Sequence, residues 1–142
     1  MPSAAAKSLA KIMRDLDFCM LTTRRTDGTL HARPMSNNRE VEFDGDVWFF
    51  TASDSNKVRE IEADPRVSLS FADPGNWTWI SLTGRASVIH DEDRKRELWL
   101  AELERWFDGG PESPQIALIR ISAGHAEYWN GEEGGEVDFS RE

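Results

Sequence analysis

Three short polar turns, set between segments of alternating or continuous apolar residues, constrain this chain more than any other feature. They are Thr26-Asp27-Gly28, Phe43-Asp44-Gly45-Asp46 and Asp73-Pro74-Gly75-Asn76. An Asp-Gly pair suits the positive φ that tight hairpins require. Connections of this length join neighbouring strands in antiparallel fashion. The apolar segments around them read as strands over residues 18–23, 30–36, 47–51, 66–71, 77–89 and 116–121, the last running on toward Trp129. Alternation is cleanest where Val67, Leu69 and Phe71 face one way and Ser68 and Ser70 the other. Pro34 removes an amide donor, which suits an edge, a bulge or a place where a ligand replaces the ladder. Gly84 marks a bend or bulge in the long fifth strand.

Helical periodicity interrupts the strands three times. Leu9, Ile12, Met13 and Leu16 form one buried stripe. Ser53-Asp54-Ser55 reads as a cap before a short helix that carries Val58 and Ile61 and stops before Pro65. Residues 91–106 read as a second long helix, with Trp99, Leu103 and Trp106 at helical spacing. It ends at Asp108-Gly109-Gly110-Pro111. No repeat or linker divides the chain, so residues 1–142 are expected to form a single domain. Its class is α+β, mainly β: an antiparallel barrel with flanking helices.

Charge narrows the partners. A net charge of −9 disfavours nucleic acid and anionic membranes. Six acidic residues lie between positions 127 and 142, so a site elsewhere in the chain can still be locally positive. No apolar run approaches the ~20 residues a membrane-spanning helix needs. With no apolar leader and a single cysteine, the cytoplasm is the expected compartment. Six tryptophans suit an interface or stacking on a planar ligand.

The segment from Val47 to Leu69 carries the chemistry. A strand ends at Phe50-Thr51, a polar loop follows, and Lys57 enters in the first turn of a helix. A helix start favours an anion through its free amides and dipole. Thr51, Ser53 and Ser55 offer hydroxyl donors, Lys57 a compact charge, and Arg33 a forked donor if its strand lies alongside. Read alone, these residues fit a solvated lysine and a plain cap as well as a phosphate site. His31, His90 and His125 lack metal-site spacing, so no metal is expected. Cys19, among apolar neighbours, reads as a buried inert thiol.

Phe49-Phe50-Thr51, Ser55-Asn56-Lys57 and the run from Ile61 through Pro65-Arg66-Val67 to Leu69 resemble the pyridoxamine 5′-phosphate oxidase-like flavoproteins. Ala32-Arg33-Pro34-Met35, Gly84-Arg85-Ala86 and Glu127-Tyr128-Trp129-Asn130-Gly131 fit the same pattern. The short acidic chain is most similar to the bacterial general stress protein branch. The resemblance implies a split β-barrel that binds flavin mononucleotide (FMN) across a homodimer interface. FAD and deazaflavin F420 are lower alternatives, and haem ranks last. It places Arg33, Lys57 and Ser55 on the phosphate, and Phe50 and Thr51 along the ribityl chain and ring edge. Pro34 and Met35 belong to the same cofactor-binding set. Trp79 stacks on the flavin or merely packs, and Trp129 reaches the partner's flavin or is an ordinary interface aromatic.

The oxidases hold their substrate with an arginine and a histidine just past the C-terminal tryptophan. Here that stretch is Glu133-Gly134-Gly135-Glu136-Val137-Asp138, so pyridoxamine phosphate oxidation is not expected. Two functions stay open: an FMN-dependent oxidoreductase acting on a small molecule, or a non-catalytic flavin-binding or flavin-sensing protein.

Overall fold

The computed structural model describes residues 2–37 and 42–141. Its first element, α1 (Ala4–Arg14), is capped by the Ser3 hydroxyl, which accepts from the Ala6 amide at 3.1 Å. Ala6, Leu9 and Met13 are its buried stripe, and Leu16 extends it beyond the helix end. The remaining elements follow as β1 (Phe18–Arg24), β2 (Leu30–Ser36), β3 (Asp46–Ala52), α2 (Asn56–Ala63), β4 (Arg66–Asp73) and β5 (Thr78–Ile89). After them come α3 (Glu92–Leu98), β6 (Ile116–Asn130) and β7 (Glu133–Asp138).

All the described strand pairs are antiparallel, in the order β2-β1-β4-β5-β6-β3, with β7 on the far half of β6. The sheet curls around one core without closing, which is the split-barrel arrangement expected from the sequence. Leu9, Leu21, Leu69, Leu82, Ile119 and Ile121 are fully buried there. Burying each such side chain contributes ~1.5–3 kcal/mol. β2 lies at an edge, with β1 as its partner strand, so Pro34 breaks no inner ladder.

Gly84 sits at a bulge, as its position suggested. Thr83 pairs with His125 and Gly84 with Ala123, which leaves Gly124 as an extra residue on β6. The bulge reverses which side chains face inward. Before it Ile119 and Ile121 are buried; after it Ala126 and Tyr128 are. Trp129 therefore points outward, 41% exposed.

Two expectations fail. The helix expected over 91–106 ends at Leu98. Trp99 and Leu100 are extended (ψ 134° and 141°), and a 3-10 turn over Ala101–Arg105 follows. Helix propensity there yields to tertiary packing, because the break turns the Trp99 ring edge-on to Phe50 at 5.2 Å. The stripe of Trp99, Leu103 and Trp106 thus lies on no single helix, and Trp106 is 77% exposed. The second miss is β7, since the acidic stretch after Gly131 carries no strand signal of its own. It pairs with β6, Gly135 opposite Tyr128. A Cβ on Gly135 would stand 2.7 Å from the Tyr128 hydroxyl, so the absence of a side chain lets that ring lie over the strand.

Candidate functional site

Alternation along β3 turns Val47, Phe49 and Thr51 inward and Trp48 and Phe50 outward. The chain then leaves the sheet through residues 52–55 and enters α2. Lys57, one residue into the helix, folds back so that its Nζ donates to Thr51 Oγ1 at 2.8 Å. The Ser55 hydroxyl lies 3.4 Å from the same Thr51 oxygen. Ser55 has the extended backbone of an N-cap (φ −72°, ψ 158°), yet its side chain makes no capping bond. Two hydroxyls and an ammonium therefore converge beside a helix start, where the backbone dipole favours negative charge.

Arg33 reaches this cluster from β2. Its Nη1 donates to the Leu21 carbonyl at 3.2 Å and its Nη2 to Glu60 Oε1 at 3.3 Å. Thr23 Oγ1 donates to the same carboxylate oxygen at 2.8 Å. The side chains of Arg33 and Glu60 are only 15% and 11% exposed, so the guanidinium is fixed in a largely dry setting. Burial pushes the Lys57 amine below its ordinary value, the nearby Arg33 charge pushes it further, and Glu60 partly offsets both. Burial likewise lowers Arg33, against the favourable Glu60 charge. Glu60 is ion-paired with Arg33, whereas Lys57 bonds to the neutral Thr51 hydroxyl, which leaves positive charge in a partly desolvated place. An anion settling there would relieve the strain between the cations.

Of the residues expected at the site, the structure brings together Arg33, Thr51, Ser55 and Lys57. Phe50 lies on the other face of β3, against Trp99. Pro34 is exposed on the outer face of β2, while Met35 packs on the core. Ser53 turns away from the cluster: its hydroxyl donates to the Pro114 carbonyl at 3.1 Å and its amide to that of Gln115 at 2.8 Å. Trp79 and Trp129 are directly opposed across β5 and β6, and Trp79 also meets Trp77 edge-on at 5.7 Å. Phe50 pairs with Leu118, so Phe50 and Trp129 stand eleven residues apart along β6. That is ~35 Å measured along the strand.

Reading the sequence alone passed over Glu60 and Thr23, which hold Arg33, and Trp99, which backs Phe50. The available signal for Glu60 is its place three residues after Lys57, on the face that also buries Ile61. Cys19 is buried, and desolvation pushes its thiol to about 12. No helix of the described residues is long and apolar enough to cross a membrane.

Comparison with known proteins points the same way as this geometry. A family model described as pyridoxamine 5′-phosphate oxidase like matches residues 4–141. Protein bli-3 of Neurospora crassa is 31% identical over 129 residues, covering 84% of this chain. General stress protein 26 of Bacillus subtilis is 28% identical over 78 residues, half of this chain. The matched parts span 62% and 52% of those two relatives' own lengths. Among solved structures, the general stress FMN/FAD binding protein of Xanthomonas citri superposes with a TM-score of 0.74 at 30% identity. That match covers 89% of this chain and 92% of that one.

Proposed function

Because the chain belongs to the pyridoxamine 5′-phosphate oxidase-like family, we propose that it binds FMN as a homodimer and serves as a flavin-dependent oxidoreductase of the general stress type. One observation carries this reading: two partly buried cations, Arg33 paired with Glu60 and Lys57 bonded to Thr51, lie beside the hydroxyls of Thr51 and Ser55. That donor set fits a phosphate monoester. Arg33 is already oriented by Leu21 and Glu60, so little side-chain entropy is lost when an anion arrives. Bound flavin supplies hydride and electron transfer through its ring, and the chain contributes the anchor, the orientation and the electrostatics.

The tryptophan pair supports the dimer. Phe50 and Trp129 stand eleven residues apart along β6, and Trp129 of a second copy can meet the ring anchored by the first. The sheet face that carries Trp129 also exposes large apolar side chains: Phe18 is 66% exposed, Met20 41% and Trp77 63%. Such a surface suits a self-complementary interface.

Substrate charge follows from β7. Glu127 and Glu136 are directly opposed on the strand pair that carries Trp129. They place negative charge where a phosphorylated substrate would approach, so the reading favours a neutral or cationic electron donor over pyridoxamine phosphate.

The test is titration of folded protein with FMN. Replacing Lys57 by Ala removes a charge-assisted contact worth ~1.5–3 kcal/mol. Affinity should fall by about one to two orders of magnitude. A Lys57→Ala variant that binds FMN as tightly as the parent would sink the assignment.

A further inference from the structure

We propose that Lys95, far from the cations in sequence, is a positioning residue for the phosphate-binding loop. The inference rests on the flavin-phosphate reading above. Lys95 lies on α3 and is 2% exposed. Among the described residues no carboxylate pairs with it. Its Nζ donates instead to two backbone carbonyls, Ser113 at 3.0 Å and Ile116 at 2.9 Å. Burying an ammonium without a counter-charge is costly, and an apolar side chain of the same length would avoid that cost. The two carbonyls bracket a short segment, and its inner residues explain what the lysine fixes.

The carbonyls of Pro114 and Gln115 accept the hydroxyl and the amide of Ser53. Ser53 belongs to the loop between Thr51 and Ser55, the two hydroxyls of the anion cluster. A continuous path of hydrogen bonds therefore runs from the Lys95 amine through residues 113–116 to Ser53. With four bonds, Lys95 and Ser53 together hold that segment. Just past the end of α3, Trp99 backs Phe50 on the opposite face of β3 from the cluster. One short helix thus braces the segment that holds the phosphate loop. Sub-ångström placement of charge-assisted donors governs how well they hold an anion, so a distant brace can affect phosphate affinity alone.

The experiment compares FMN with riboflavin, which has the same ring and ribityl chain but no phosphate. Both are titrated by flavin fluorescence quenching into the parent, Lys95→Met, Ser53→Ala and the double variant, each checked for folding by circular dichroism. Lys95→Met should lose roughly tenfold or more in FMN affinity while riboflavin affinity is unchanged. Ser53→Ala should show the same selective loss, and the two losses should not add in the double variant, as expected when both act through one segment. Equal losses for FMN and riboflavin, or fully additive losses, would overturn the proposal. If Lys95→Met does not fold, Ser53→Ala decides: an unchanged FMN-to-riboflavin ratio overturns it. Failure of the phosphate reading looks different, since Lys57→Ala would then leave FMN affinity intact. Selective loss in Lys57→Ala with no change in Lys95→Met or Ser53→Ala defeats only the present inference.

Discussion

Asp64 closes α2 under the influence of two guanidinium groups. Arg66 donates to it through its amide (3.1 Å), Nε (3.0 Å) and Nη2 (2.8 Å), and Arg24 adds a contact at 3.4 Å. The hydrogen bonds from Arg66 hold the Asp64 carboxyl well below the usual carboxylate range, with Arg24 assisting. A depressed folded-state pKa contributes stability that is present above the unfolded value and lost as pH falls through the folded one. The parent should therefore lose stability below about pH 4, where an unfolded aspartate takes up its proton. Asp64→Asn should be less stable than the parent at neutral pH and show a flatter acid limb, the gap between the two curves narrowing as pH falls below about 4. Thermal melts across that range decide it, and parallel curves would count against the linkage. At this scale the cations of the site were legible because Lys57 and Ser55 belong to a local motif. Glu60, Thr23 and Lys95 were not, because their roles come from strands and carbonyls distant in sequence. A buried lysine that bonds only to backbone leaves no mark in the pattern of residue types.

Strands with plain alternation, such as β4, could be read directly, whereas elements shaped by their neighbours could not. β6 shows the difference within one element. Extrapolating the inward set Ile119 and Ile121 by twos along the strand would put Trp129 in the core. The extra residue at the Gly84 bulge shifts the inward set to Ala126 and Tyr128 and turns Trp129 outward. The bulge depends on close approach. A Cβ on Gly84 would stand 2.3 Å from the Ser122 carbonyl oxygen and 3.1 Å from the Ala123 Cα. Those are backbone atoms of a doubly paired strand and cannot swing aside. Gly84→Ala should cost ~1–3 kcal/mol as an overpacked site. Chemical denaturation reads this as a lower midpoint, and a midpoint equal to the parent's would mean the bulge is softer than its contacts imply. The early end of α3 and the presence of β7 have the same origin, since both follow from partners (Phe50 and Tyr128) that lie outside the segments themselves.

For the whole molecule the proposed dimer makes its own prediction. The proposed interface centres on the outward face bearing Phe18, Met20 and Trp129. A charge placed there should separate the protomers without touching the core, because Phe18 is 66% exposed. Sedimentation velocity at micromolar concentration should give a dimer for the parent and a monomer for Phe18→Asp, and the variant should lose FMN affinity as the dimer is lost. A monomeric parent that binds FMN tightly would refute the shared site.

β6 also sets when this fold can come into being. It is the described partner strand of β3 on its first half and of β7 on its second, and it pairs with β5 along nearly its whole length. A growing chain has made β3 by residue 52 but lacks the end of β6 until residue 130. At bacterial-to-eukaryotic synthesis speeds that interval is roughly 4–16 s. Until residues 119 and 121 are made, Val47 and Phe49, destined for the core, lack their partner strand. Barrel assembly must await residues 116–130, so the nascent segment is most open to misassociation and chaperone capture in the interval before β6 is made.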